Sequence, residues 1–308
     1  MSEYDIPDFI GPYHIGSLII ETDNSMIYES FHPSRCEKLA IKLIKKDGVN
    51  PQIIDDECLL MKEIQNDQIM HAYDIFDLLH YRCIVMPLAT GGDLFEYIAA
   101  NSGMEEHAAC QVIHTALTAI QYLHSLDIWH RDIKPENFLL LDDSIVDPNV
   151  CLADLGYAKR IPPGEKSSDY LGTPIYAAPE IHQKIPYDKS VDIWSLGVTM
   201  YVTLSGQSPF SNDDPYEMVY QIINGIYDFD DPAFDEISEE AKDLIRCMMQ
   251  KDPSRRITIE AALMHPWFQV FFPDHAKPRL ERSTANAMRF ETPYDEAEDY
   301  VEGDYQEF

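Results

Sequence analysis

Residues 130–137 read His-Arg-Asp-Ile-Lys-Pro-Glu-Asn, and Asp154-Leu155-Gly156 begins seventeen residues after Asn137. Any one of these residues could serve only to turn a polar loop between a helix and a strand. Eight in this order, followed by an Asp-Leu-Gly at the end of the strand-like run 150–154, are not a chance arrangement. Moving a phosphoryl group asks little covalent chemistry of a protein. It asks for a carboxylate on the attacking hydroxyl, positive charge near the phosphates, and oxygen ligands for Mg²⁺. The segment offers each: Asp132 as base, Lys134 as cation, Asn137 and Asp154 as metal ligands.

The surrounding chain reads as two unlike halves. From 13 to 86 short β-branched runs such as 18–20 and 39–44 predict strands, interrupted by one helix over 53–64. From 94 to 268 helical periodicity dominates. Ala109, Val112, Ile113, Ala116, Leu117, Ile120 and Leu123 form one apolar stripe, and 237–249 reads as another helix. At 308 residues the chain exceeds what one core usually holds. The expectation is an α+β protein with an N-terminal extension (1–12), a strand-rich lobe (13–86), a joint at Pro87-Leu88-Ala89, a helix-rich lobe (90–268) and an acidic, disordered tail (269–308).

Composition narrows the partners. The net charge of −31, from 54 acids against 23 Lys and Arg, argues against nucleic acid, whose phosphates need clustered bases. Residues 191–241 hold eleven acids and no Lys or Arg, which suits either a solvated surface or a field that draws basic polypeptides. No run approaches the length of a membrane span and the first residues are acidic, so a cytoplasmic or nuclear protein without membrane contact is expected. The six cysteines lie too far apart for a disulfide framework or a zinc site, and read as reduced core residues.

Within 39–44, Ala40, Lys42 and Ile44 share one face of a strand. A lone strand lysine usually reaches for water. On 53–64, however, Glu57 falls on the apolar stripe of Ile53, Ile54, Leu60, Met61 and Ile64, where an unpaired charge would be prohibitive. Lys42 is its natural partner, and in the family that the next motifs resemble such a pair holds the ammonium toward ATP phosphates.

These motifs resemble the eukaryotic-type serine/threonine protein kinases. The resemblance continues through Gly172-Thr173-Pro174, Ala178-Pro179-Glu180, residues 192–197, Arg256 and 265–268, so it covers roughly 13–268. It implies the two-lobed kinase fold, ATP and Mg²⁺ as cofactors, and protein substrates. Carried over by position, Asp132 deprotonates the acceptor hydroxyl, Lys134 steadies the γ-phosphate, and Asn137 with Asp154 holds the metal. Ile27, Ala40 and Leu139 enclose the adenine, Ile19 is a further ATP-binding position, Met86 is gatekeeper, and Pro87 and Ala89 meet the base edge through their backbone. Glu180 and Arg256 match a structural ion pair of the family. Residues 91–95 and 265–268 are similar to those of the calcium/calmodulin-dependent and AMP-activated branch.

Arg131 is the family's contact for an acidic group on the activation segment. Asp169, four residues before Thr173, stands where related kinases carry a phosphothreonine, and Ser167, Ser168 and Tyr170 are possible phosphoacceptors. Asp93 and Glu136 match positions that bind an Arg ahead of the target residue, although Asp93 also suits a helix cap. Basic protein substrates are therefore expected. The acidic tail does not resemble a calmodulin target, so calmodulin control is not expected, and a monomer is.

One departure stands out. The alignment puts Ile20, Thr22 and Ser25 where the family's phosphate-covering loop has three glycines. If the loop needed positive φ there, β-branched residues would cost roughly 1–2 kcal/mol each. Asp23-Asn24-Ser25 still offers turn chemistry, but Glu21 and Asp23 bring negative charge towards a triphosphate. The expectation is an active kinase with weakened ATP affinity; the alternative is a pseudokinase acting as scaffold or regulator.

Overall fold

A computed structural model describes residues 6–35, 38–144, 148–212 and 214–271. The acidic tail expected beyond 268 lies outside them from 272 onward.

Six antiparallel strands form the N-terminal sheet: β1 (Phe9–Ile10), β2 (Tyr13–Glu21), β3 (Ser25–Phe31), β4 (Leu39–Lys45), β5 (Asp74–Asp77) and β6 (Tyr81–Pro87). Their order is β1-β2-β3-β4-β6-β5. The sheet starts earlier than expected, because Phe9 and Ile10 pair with His14 and Tyr13 across a turn in which Gly11 takes φ +56°. That conformation is easy for glycine alone.

Period two on β4 sends alternate side chains to separate cores. Leu39, Ile41 and Leu43 pack with Tyr13, Cys83 and Val85, while Ala40 and Ile44 face the cluster shared with helix α1 (Pro51–Glu63). Lys42 therefore emerges on the helix side. Asn50 caps α1 through Oδ1 to the N–H of Gln52, and Pro51 starts it. Ile54, Glu57, Cys58, Leu60 and Met61 form its buried face. Ile53 was expected on that stripe; it lies at the rim of the first turn and is 48% exposed.

Chain 88–271 is mainly helical, with α2 (Leu94–Asn101), α3 (Glu106–Ser125), α4 (Pro179–His182), α5 (Val191–Ser205), α6 (Pro215–Asn224), α7 (Glu239–Met248), α8 (Ile259–Leu263) and α9 (Pro266–Phe271). Every residue of α5 is buried. The predicted stripe of α3 is buried throughout and packs on α5. Short strands β7 (Ile128–Trp129), β8 (Phe138–Leu140), β9 (Val150–Leu152) and β10 (Lys159–Arg160) frame the loops between. Arg256 grips Glu180 with both guanidinium limbs, at 2.8 and 3.1 Å, and both side chains are buried. Among the described residues no helix is long and apolar enough to cross a membrane. Cys58, Cys83, Cys110, Cys151 and Cys247 are free thiols, all but Cys247 fully buried.

Candidate active site

The loop after β7 is built around Asp192, a fully buried carboxylate at the start of α5. Its Oδ1 accepts the N–H of Arg131 at 2.8 Å, and its Oδ2 accepts the N–H of His130 at 3.0 Å and of His124 Nε2 at 2.7 Å. Burial alone would push this carboxyl up; the His124 contact outweighs it, helped by His130 and the Arg131 amide, and holds it below the usual carboxylate range. The anchor lets Arg131 keep φ +68°, which a side chain other than glycine adopts at a cost. His130 completes the turn: Nδ1 accepts the N–H of Asp132 at 3.3 Å and Nε2 donates to Ala153 O at 3.2 Å, partners that assign its proton to Nε2.

Asp132, Lys134, Asn137 and Thr173 then meet in one network. Lys134 Nζ lies 2.8 Å from Asp132 Oδ2 and donates to Thr173 Oγ1 at 2.9 Å. Asp132 Oδ1 accepts both the N–H and the hydroxyl of Thr173, at 2.8 and 2.9 Å. Burial works against the Lys134 ammonium, yet Asp132 more than compensates and raises its pKa. Gly172 brings the segment this close: its φ is +95°, and a Cβ there would stand 2.7 Å from Arg131 O.

Asn137 Nδ2 donates to Asp132 O at 2.8 Å, which leaves its amide oxygen as the atom of that side chain able to ligate a cation. Asp154 follows β9 at φ +60° and is half exposed. Its Oδ1 accepts the Gly156 N–H at 3.3 Å and stands 3.7 Å from Lys42 Nζ. Despite burial, Lys42 first and then His130 hold the Asp154 carboxyl below its usual range. Lys42 in turn is paired with Glu57 at 2.7 Å. Burial disfavours its charge, but Glu57 and Asp154 prevail and push its pKa up to about 12.

Above this cluster, Ala40 and Met86 are buried in the same apolar core as the partly buried Ile27 and Leu139. Pro87 ends β6 opposite Leu39, and Pro87 and Ala89 are half-buried. Ile19 is 44% exposed on β2. The loop without glycines closes as a hairpin: Thr22 N–H donates to Ser25 O at 2.8 Å, and Ser25 N–H to Thr22 Oγ1 at 3.0 Å. Lys45 ties the turn to β4 through Asn24 O at 2.9 Å and Asp23 O at 3.1 Å. No residue from 20 to 25 has positive φ, so the strain foreseen for β-branched side chains does not arise. Irregular register between β2 and β3, on both sides of Leu18, absorbs the bend instead.

On the activation segment, Arg131 Nη1 pairs with Asp169 Oδ2 at 2.7 Å while its Nε donates to Tyr157 O at 2.8 Å. Lys159 approaches the same Asp169 oxygen at 3.6 Å. Arg131 lowers the Asp169 pKa by direct hydrogen bonding. Ser167 is buried and bridges to Tyr187 through both backbone groups, whereas Ser168 and Tyr170 are exposed. Asp93 caps α2, its Oδ1 accepting the Glu96 N–H at 2.8 Å. Glu136 follows Pro135, and its Oε2 is buried with no hydrogen-bond partner. His124 and the anchoring role of Asp192 escaped the sequence reading; they lie 68 residues apart, and no local spacing links them.

A buried carboxylate beside a lysine, a second lysine held by a helix glutamate and a half-exposed Asp-Leu-Gly carboxylate make up the candidate site, and these are the residue types that phosphoryl transfer requires. The chain belongs to the protein kinase family: the family model for the protein kinase domain matches residues 13–268. Death-associated protein kinase 2 of Homo sapiens is 33% identical to it over 289 residues, covering 92% of this chain and 78% of that protein. The Mus musculus protein of the same name is 34% identical over the same lengths. The chain is thus a eukaryotic-type serine/threonine protein kinase that binds ATP and acts on proteins, in the calcium/calmodulin-dependent branch.

Proposed function

We propose that this kinase uses Mg²⁺-ATP to phosphorylate serine or threonine in segments with a basic residue ahead of the acceptor, its activation segment held by Asp169 in place of a phosphate. The observation that carries the substrate preference is the orphaned Glu136 Oε2. A buried carboxylate oxygen without a donor is costly, so turning the half-buried Glu136 carboxylate outward to a substrate guanidinium gains N–H donors that its resting position lacks. Asp93 is a weaker candidate, because its Oδ1 already serves the α2 cap.

The donor set suits the metal. Asp154 is an ionised carboxylate and Asn137 has an amide oxygen to give, both hard ligands of the kind Mg²⁺ takes alongside phosphate oxygens. When bound, the metal neutralises charge on those oxygens. Lys42, fixed by Glu57, orients the α- and β-phosphates of ATP. Asp132 receives the proton of the acceptor hydroxyl as its oxygen bonds to the γ-phosphorus and the bond to ADP breaks; Lys134 sits where the transferred charge needs a counter-ion. The reading includes a monomer, and calmodulin control through 290–308 is not part of it, because that stretch holds eight acids and no Lys or Arg.

Glu136→Gln tests the preference with paired peptides that differ only in Arg or Ala ahead of the acceptor. KM for the Arg peptide should rise roughly tenfold, a loss of about 1.4 kcal/mol, and KM for the Ala peptide should not move. Equal KM for both peptides in the wild type would remove the preference. Phosphate incorporation no greater than that of Asp132→Asn would remove the active reading of the lid.

A further inference from the structure

Asp243 and Cys247 lie four residues apart on α7, so one face of the helix carries both. The core side of α7 is Ala241, Leu244, Ile245 and Met248, which leaves Asp243 exposed and Cys247 half-buried. Facing them is His265, between α8 and α9. One ligand atom from each of the three residues lies within 4.8 Å of the other two. The His265 ring is already aimed. Its backbone N–H donates to Ala262 O at 3.0 Å, its Nδ1 accepts the Trp267 N–H at 3.3 Å, and its Nε2 stands 3.2 Å from Asp243 Oδ2.

An imidazole nitrogen, a thiol sulfur and a carboxylate oxygen together suit Zn²⁺, whereas Mg²⁺ and Ca²⁺ take oxygen ligands. Around a tetrahedral zinc with bonds of about 2.0–2.3 Å, ligand atoms stand roughly 3.3–3.8 Å apart, so the widest pair here needs to close by about 1 Å at most. The surroundings favour a cation. Glu239 and Glu240 line the same depression as Asp243 and His265. Arg246, the cation of that lining, is engaged with Glu239 at 3.9 Å and over the ring of Phe229 at 4.8 Å. Binding has a cost at the ring: a metal on Nε2 places the proton on Nδ1, which takes the acceptor from the Trp267 amide. At 3.3 Å that bond is a long one, so its loss lowers the affinity without removing the site.

The geometry points to a Zn²⁺ site separate from the phosphotransfer residues, in which Asp243, Cys247 and His265 bind one ion and clasp α7 to the start of α9, with water in the fourth position. Cys247 releases its proton to solvent as the zinc–sulfur bond forms. The site draws on one cysteine, so the wide spacing of the six, which argues against a thiolate cluster, does not bear on it. Its reach extends inward, since α7 packs on α5 as well as on α9, and Asp192 at the start of α5 holds the catalytic loop. The Asp243–His265 contact alone could serve only to fix the start of α9. Cys247 has no part in that cap, and it therefore carries the test.

The full chain, stripped of metal with a chelator, is titrated with ZnCl₂ by calorimetry and followed by thermal melting, beside Cys247→Ser, Asp243→Asn and Asp154→Asn. The wild type should bind one ion with a Kd of about 1 μM or below and melt at a higher temperature when loaded. Cys247→Ser should melt with the metal-free wild type, which shows that the fold does not need the thiol, yet bind zinc at least roughly tenfold more weakly. Asp243→Asn should also bind more weakly, and Asp154→Asn should bind as the wild type does. Co²⁺ in place of Zn²⁺ should give a thiolate-to-cobalt charge-transfer absorption that Cys247→Ser lacks, a signature that a purely structural Asp–His contact does not produce. Millimolar Mg²⁺ should not compete. No zinc binding by the wild type, undiminished binding by Cys247→Ser, a cobalt spectrum without the thiolate band, or loss of binding in Asp154→Asn alone would each overturn the proposal.

Discussion

Replacing Asp169 by Asn changes the side chain by one charge and almost no volume. In the structure that charge meets Arg131 at 2.7 Å and Lys159 at 3.6 Å. The Arg131 side chain is 5% exposed and that of Asp169 44%, so the pair falls between two regimes. Fully exposed pairs contribute about 0.2–1 kcal/mol. Breaking a fully buried one costs about 3–5 kcal/mol, because a charge is stranded. Arg131 also donates to Tyr157 O, which keeps it from being stranded entirely. An intermediate loss of about 1–2 kcal/mol is expected, or roughly 5–30-fold in the balance between ordered and disordered activation segment.

That balance reaches the chemistry through Thr173, which lies four residues after Asp169 on the same segment and bonds both Asp132 and Lys134. Steady-state phosphorylation of an Arg-containing peptide should therefore show kcat/KM down roughly 5–30-fold in Asp169→Asn, with KM for ATP nearly unchanged. Asp169→Glu, which keeps the charge, should recover most of the loss. Phosphatase treatment should leave the wild type unaffected. Full activity in Asp169→Asn, or strong phosphatase-sensitive activation through the exposed Ser168, would refute the reasoning.

Asp192→Asn replaces an acceptor-only carboxylate by an amide that cannot satisfy every donor of His124, His130 and Arg131, so each orphaned N–H costs roughly 1–3 kcal/mol, visible as a lower melting temperature and a collapse of kcat. With Asp192 intact, its depressed folded pKa means that its stabilisation is present above the ordinary carboxylate value and lost as pH falls through the folded one; acid unfolding should start at higher pH when His124 alone is removed. Thr22→Val with Ser25→Ala removes the side-chain bonds that close the lid and should raise KM for ATP several-fold at constant kcat; if glycines at 20, 22 and 25 instead improve ATP binding more than tenfold, the native lid is a handicap and not a substitute. Glu180→Ala strands the buried Arg256 and should cost about 3–5 kcal/mol, read in urea unfolding; a loss under 1 kcal/mol would mean that the pair is not the clasp it resembles.

The parts of the site legible in the sequence are those held by nearby residues. Residues 130–137 and 154 are joined by one short β8–β9 hairpin, so their spacing already encodes their meeting. Glu57 was legible because a carboxylate on an apolar stripe needs a cation, and period two put Lys42 on the facing side of β4. Ile53 misled, since a first-turn residue at the rim of a stripe has nothing above it to pack on. Asp192 was invisible as an anchor: its donors lie 61 to 68 residues away, and only the fold brings them together. The lid misled most, because the absence of glycine was read as strain. What glycine supplies through positive φ, this chain replaces by a Thr–Ser turn and an irregular strand register.

A shortage of cations explains why the remaining contacts take the form they do. With 23 basic residues against 54 acids, each one at the centre is committed more than once: Lys42 to Glu57 and Asp154, Lys134 to Asp132 and Thr173, Arg131 to Asp169 and Tyr157. None is left over for Glu136, whose Oε2 is the one carboxylate oxygen among the described residues that is buried without a partner. A chain so charged leaves an unmet acid for a partner to neutralise, and a basic substrate can do so at Glu136. Raising salt should therefore raise KM for an Arg-containing peptide more steeply than for its Ala counterpart, and equal slopes for the two would show that Glu136 is not the group being neutralised.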